Sequence, residues 1–145
     1  MSTKNKIKPA LGAGFRDLSG DFLATKKRII KIIEENYIKY GYQEISQPSL
    51  EVASQIGSFL SEDESNPMSD VFSFINEKES LTLRYDLSAP LARFCAENFR
   101  DLVFPYKRFA YGNVYRQEKA DSARYRAFGQ LDADIIGDAN PSQAD

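Results

Sequence analysis

Tyr111-Gly112-Asn113-Val114-Tyr115-Arg116-Gln117-Glu118 and Arg124-Tyr125-Arg126-Ala127-Phe128-Gly129-Gln130-Leu131-Asp132-Ala133-Asp134-Ile135-Ile136-Gly137 are the two stretches on which the fold turns. Aromatic and β-branched residues recur in both, and a polar stretch, residues 117–123, separates them. Residues 106–116 and 124–136 therefore read as two long strands of one antiparallel hairpin. Side chains alternate faces along a strand, so parity sorts them. On the second run the odd positions are apolar or small: Tyr125, Ala127, Gly129, Leu131, Ala133 and Ile135. The even positions carry Arg124, Arg126, Phe128, Gln130, Asp132 and Asp134. A strand facing solvent is polar as well. Here the order of residue types favours a site: guanidiniums suited to phosphate, a phenyl face suited to a flat base, then an amide and carboxylates suited to an ammonium.

The partner strand strengthens that reading. Arg116 and Glu118 stand at the loop end, opposite Arg124 and Arg126, and such a cluster of cations wants a polyanion. A triphosphate suits so confined a place better than a nucleic-acid backbone. Gly112 leaves room for a ligand or for a close backbone approach.

Upstream, Phe22, Ile29, Ile30, Ile33, Tyr37 and Tyr40 recur at helical steps, which predicts a helix over 21–40. Ser19 or Asp21 is the candidate cap and Gly41 the stop. Residues 42–45 read as a short strand and 50–60 as a short helix. Ser61–Asp70 is an acidic, turn-rich loop. Residues 71–75 and 81–85 read as a hairpin, and a helix starts at Ser88 with Pro90 tolerated in its first turn. The fold class expected is α+β, an antiparallel sheet flanked by helices.

Composition narrows the chemistry. The 145 residues hold 19 Lys+Arg against 21 Asp+Glu, no His and one Cys. That excludes a disulfide framework, a Cys/His zinc site and any catalytic pair that needs His within this chain. No apolar run approaches the ~20 residues of a membrane span. Cys95 reads as a small packed hydrophobe. Tyr85, Phe109 and Tyr115 read as core, and Asp132 as solvent-facing. The chain is expected to be a cytoplasmic protein with no membrane partner, and it reads as a fragment because it halts at residues 140–145 without a closing element.

The two quoted stretches resemble motif 2 of class II aminoacyl-tRNA synthetases, and the Gln130-x-Asp132-x-Asp134 ending resembles the histidyl-tRNA synthetase version. Gly14-Phe15-Arg16-Asp17 with the following helix and Gln47-Pro48 is similar to the motif 1 region. Leu81-Thr82-Leu83-Arg84-Tyr85-Asp86-Leu87-Ser88-Ala89-Pro90-Leu91-Ala92-Arg93 is similar to the amino-acid-binding segment. Three segments in the family's order span nearly all of residues 14–137. The resemblance implies a partial class II synthetase-like catalytic core over 14–145, behind a flexible basic tail over 1–13. Motif 3 and an anticodon-binding domain find no match here.

The resemblance also implies roles. The family makes histidyl-adenylate from L-histidine and ATP with Mg²⁺, then charges the acceptor end of tRNA(His), usually as a homodimer through motif 1. Arg116 would be the catalytic residue, meeting the α-phosphate and the histidine carboxylate. ATP would be held by Arg116, Glu118, Arg124, Arg126 and Phe128. Histidine would be held by Asp86, Leu87, Ser88, Arg116, Gln130 and Asp134, and no residue is assigned to a metal. Ser88 reads equally as a helix cap. The motif 2 loop, residues 118–124, lacks the Pro and Gly the family more often has, and Ala127 stands where Glu or Gln is more usual. The function expected is that of a histidine–tRNA ligase, with this chain alone inactive. A synthetase-like regulatory subunit of ATP phosphoribosyltransferase is the alternative, and an interaction module that keeps only the dimer helix ranks third.

Overall fold

The computed structural model describes residues 8–55, 70–75, 78–117 and 124–138. Most of the expected acidic loop and residues 1–7, 118–123 and 139–145 lie outside them. The first element, α1, runs Gly20–Lys39. Ser19 occupies the cap position, but its side chain makes no capping bond. Asp21 instead lies in the first turn, where a negative charge complements the helix dipole. The C-terminus closes as a Schellman motif: Gly41 N–H donates to Ile38 O at 3.0 Å and Tyr42 N–H to Tyr37 O at 3.0 Å. Gly41 takes φ 81°, which a side-chain-bearing residue rarely adopts. The Tyr37 and Tyr42 rings meet at 5.4 Å across the cap.

The hairpin forms as read. β5 (Tyr106–Tyr115) and β6 (Ala127–Ile136) pair antiparallel in one unbroken register, from Tyr106 opposite Ile136 to Tyr115 opposite Ala127. β1 (Gln43–Glu44) joins the other edge of β5, and it runs parallel to it. The sheet is therefore mixed. Residues 45–105 separate β1 from β5, and a connection of that length lets the chain re-enter the sheet in the same direction.

A second sheet has the order β2-β4-β3, formed by Leu50–Val52, Ser80–Leu83 and Ser73–Ile75. The expected helix over 50–60 is thus corrected at its start: Leu50–Val52 pairs antiparallel with β4, and helical geometry begins only at residue 53. The rest of that expectation, over 56–60, lies outside the described residues. The strand wins because it carries Glu51 inward. That carboxylate is 5% exposed and is held by two nitrogens of Arg93, at 2.8 and 3.1 Å.

Helix α2 (Ser88–Glu97) has Pro90 in its first turn and buries Pro90, Leu91 and Cys95. Leu91 and Cys95 pack on Tyr106, with Phe94, Leu102, Phe104 and Ile136 around them. Cys95 is a packed residue as expected, and burial pushes its thiol up from the ordinary range. A second cluster joins Leu87, Ala110 and Val114, with Ile45 and Phe128 against it.

α1 and α2 thus cover opposite faces of the hairpin. Phe109, fully buried, meets Tyr37 of α1 at 5.6 Å between ring centroids, which bears out its core assignment. Tyr85 and Tyr115 are only half-buried. No residue of α1 is fully buried, and Phe22, Ile29, Ile32 and Ile38 are exposed on it.

Candidate functional site

The even face of the hairpin does not face solvent. Its β5 members Arg108, Ala110 and Val114 are buried, and opposite them in register stand Asp134, Asp132 and Phe128. What covers this face is the segment between β4 and α2, residues 84–87. Two bonds seat that segment: Tyr115 N–H donates to Arg84 O at 3.0 Å, and Arg116 Nε reaches Tyr85 O at 3.5 Å. The sequence therefore folds its proposed amino-acid-binding segment directly over the polar strand face.

At the loop end, the Arg116 guanidinium lies between two rings. Its carbon is 4.4 Å from the Tyr85 centroid and 5.2 Å from that of Phe128. Stacking on aromatic faces holds a guanidinium flat while its N–H edge stays available. The strand ends are joined here, Arg116 N–H donating to Arg126 O at 2.9 Å. The Arg126 backbone N–H in turn donates to Gly14 O at 2.8 Å, and its side chain reaches Ala13 O at 3.4 Å. Arg124 is exposed. Glu118 lies outside the described residues.

Gly112 is occupied rather than open. The Arg84 guanidinium lies over it, donating from Nε to Asn113 O at 2.7 Å and from Nη1 to Gln47 O at 2.8 Å. A Cβ at Gly112 would stand 2.9 Å from Arg84 Cζ and would overlap Nη2. Burial pushes the Arg84 guanidinium pKa down, and the Tyr115 and Glu51 charges oppose that. Opposite Gly112 stands Gln130, whose Oε1 is buried without a partner among the described residues. Gln47 is in the same condition at both side-chain polar atoms. Buried polar atoms of this kind are normally satisfied.

The carboxylates come next. Asp86 Oδ1 accepts from the backbone N–H of Ser88 at 3.1 Å and of Ala89 at 2.9 Å. It is therefore Asp86 that caps α2, and Ser88, the first helical residue, is exposed. The second Asp86 oxygen is not part of this cap. Leu87 is buried, so only its backbone can serve a ligand. Asp134 forms an ion pair with Arg108, Nη2 to Oδ2 at 2.5 Å.

Asp132, expected to face solvent, is half-buried. Burial raises its carboxyl pKa; Arg108 opposes that rise, while Asp134 and Asp86 add to it. Asp86, Asp132, Asp134 and Arg108 therefore share one electrostatic neighbourhood. Sequence reasoning missed Arg108, Arg84 and Gln47. Parity placed Arg108 on the site face, and that was the available signal.

The arrangement offers an ordered face: a stacked guanidinium and an aromatic at the loop end, an amide midway, and acidic groups at the far end. Among the described residues, no group of three or more His, Cys, Asp or Glu side chains is arranged to hold a metal ion. No helix among them is long and apolar enough to cross a membrane.

Comparison with known proteins bears on the family and the fold. Residues 17–142 match the family described as tRNA synthetases class II core domain (F). The histidine–tRNA ligase of Pelagibacter ubique (strain HTCC1062) is 54% identical over 144 residues, covering 99% of this chain and 31% of that protein. The histidine–tRNA ligase of Rhodopseudomonas palustris (strain BisB18) is 40% identical over 138 residues, covering 94% of this chain and 26% of that protein. The chain thus spans about a third or less of the length of the curated relatives it matches.

Among solved structures, an ATP phosphoribosyltransferase regulatory subunit/histidyl-tRNA synthetase from Bacillus halodurans superposes with a TM-score of 0.76 at 30% identity. That match covers 94% of this chain and 35% of the other. Histidyl-tRNA synthetase from Nostoc sp. PCC 7120 gives a TM-score of 0.73 at 23% identity over 90% of this chain and 29% of its own, a likeness of fold.

Proposed function

The chain belongs to the family of the tRNA synthetases class II core domain, and from that premise we propose that it is the ATP- and histidine-binding part of a histidine–tRNA ligase. The observation that supports this most is the Arg116 guanidinium stacked on Tyr85 and Phe128 at the head of a face that continues through Gln130 to Asp134 and Asp86. The histidine carboxylate attacks the α-phosphorus of ATP, the bond to the bridging oxygen breaks, and pyrophosphate leaves with the electron pair. The nucleophile is already ionised, so no protein base is required and the lack of His is no obstacle. What the protein must supply is alignment and neutralisation of charge growing on phosphorus.

Arg116 would do both, bridging the α-phosphate and the carboxylate. Phe128 would stack on adenine, Glu118 would meet its amino group, and Arg124 and Arg126 would reach the outer phosphates. Gln130, Asp86, Ser88 and Asp134, with the Leu87 backbone, would hold the histidine. Magnesium, with no protein cage among the described residues, would arrive on the phosphates of ATP. The acceptor end of tRNA(His) would then take the histidyl group on its terminal ribose. We place this work in the cytoplasm, in a protein whose residues 14–145 form the N-terminal part of the catalytic domain.

The test is histidine-dependent exchange of pyrophosphate into ATP by the full-length protein carrying this chain, followed by charging of tRNA. Exchange that requires histidine supports the reading. Histidine binding without exchange would replace it by the regulatory-subunit reading, which the likeness to the Bacillus halodurans protein keeps in view.

The same premise implies a homodimer through α1 and β1. Phe22, Ile29, Ile32 and Ile38 of α1 are each at least half exposed, and exposed apolar surface of that kind seeks a partner. Ile29→Glu should convert the dimer to a monomer in sedimentation velocity. A wild-type protein that is a well-folded monomer at high concentration would rule the interface out.

A further inference from the structure

None of these roles falls to Arg108, one of the few charged side chains buried among the described residues. It is fully buried in the sheet. Its Nη2 contacts Asp134 Oδ2 at 2.5 Å and Leu87 O at 3.2 Å. Nε and Nη1 are buried with no partner among the described residues. A buried guanidinium with two unsatisfied donors is a net burden on stability, and an apolar residue of similar size would serve the core better. Packing therefore does not explain Arg108, and its two contacts suggest what does. Asp134 lies directly opposite it on β6, and Leu87 sits between Asp86 and Ser88 at the start of α2.

We propose that Arg108 is a positioning residue of the amino-acid site: one buried guanidinium ties β6 to the start of α2, fixing Asp134 relative to Asp86 and Ser88 so that all three meet the substrate's ammonium end together. This rests on the function proposed above and deepens it. Arg108 also sets the charge of the site. It opposes the rise that burial, Asp134 and Asp86 impose on the Asp132 carboxyl. The other titratable groups within reach are the Cys95 thiol on α2 and the Tyr106 phenol on β5. Burial raises the pKa of both, so they are neutral near pH 7.

The experiment compares Arg108→Met and Arg108→Lys with wild type in the full-length ligase, measuring histidyl-adenylate formation against pH. Arg108→Met should raise the histidine KM about tenfold while leaving the ATP KM unchanged. It should also move the acid limb of kcat/KM for histidine upward by about one pH unit. The direction follows from charge: without the cation Asp132 holds its proton to higher pH, and the site loses a negative charge that favours an ammonium. Arg108→Lys keeps the charge but not the forked contact, so the limb stays while the histidine KM still rises.

A merely structural Arg108 would move both KM values together, or neither, and would leave the acid limb in place; that result overturns the proposal. If Arg108→Met does not fold, an unchanged histidine KM in Arg108→Lys overturns it as well. A wild-type protein that forms no histidyl-adenylate overturns the functional reading and this inference with it. An active wild type with indifferent variants overturns this inference alone.

Discussion

Arg116→Ala should lower single-turnover formation of histidyl-adenylate by about 10²–10³, or ~3–4 kcal/mol, while weakening ATP binding far less. The split follows from where the charge is. Negative charge on the α-phosphate grows only as the carboxylate attacks, so a donor aimed there contributes most in the transition state. The side chain is preorganised for it, its guanidinium within cation–π reach of the Tyr85 and Phe128 rings and its Nε directed at the Tyr85 carbonyl. Arg116→Lys should recover little, because an ammonium neither stacks in that slot nor makes a planar two-pronged contact. If Arg116 served only the structure, both substitutions would cost ~1 kcal/mol of stability and spare the rate. A near-normal rate in a folded Arg116→Ala protein would remove the assignment of the ATP face.

The second large effect is expected at Gly112, on stability. A methyl group there collides with the Arg84 guanidinium, overlapping Nη2 and standing 2.9 Å from Cζ. A flexible arginine could normally swing aside. Arg84 is 6% exposed and holds the carbonyls of Asn113 and Gln47, so moving it strands donors that burial has already stripped of water. Gly112→Ala should destabilise the protein by about 2–3 kcal/mol in urea denaturation. The same substitution beside Arg84→Met should cost much less, because the collision partner has lost its fork. Equal costs in the two backgrounds would show that something other than Arg84 requires the glycine.

That glycine also shows how far local reading reaches. Its lack of a side chain was legible as room for something, and either a ligand or the protein could fill it. Only the packed structure decides, because Arg84 arrives from the end of β4, far earlier in the chain. The same distinction separates Asp86 from Ser88. Both are cap-forming types near a helix start, and the actual cap depends on the chain's angle as it leaves β4, which places Asp86 Oδ1 on two N–H groups.

What the sequence determined by itself is whatever a short window encodes. The period of α1 and its glycine stop, the antiparallel hairpin, the proline in the first turn of α2 and the parity that puts Arg116 through Asp134 on ordered positions all follow from neighbours a few residues apart. Tertiary structure decided which elements meet. The three residues of β2 become a strand because β4 lies alongside, and β1 runs parallel to β5 because the second sheet and α2 lie between them in the chain. Arg108 is the clearest case. By type it belongs on a surface, and parity puts it on the site face without saying what covers that face. Asp134 across the hairpin and the Leu87 carbonyl from another segment bring it inside. Burial and charge pairing are properties of contacts between distant parts of the chain, and periodicity carries no information about them.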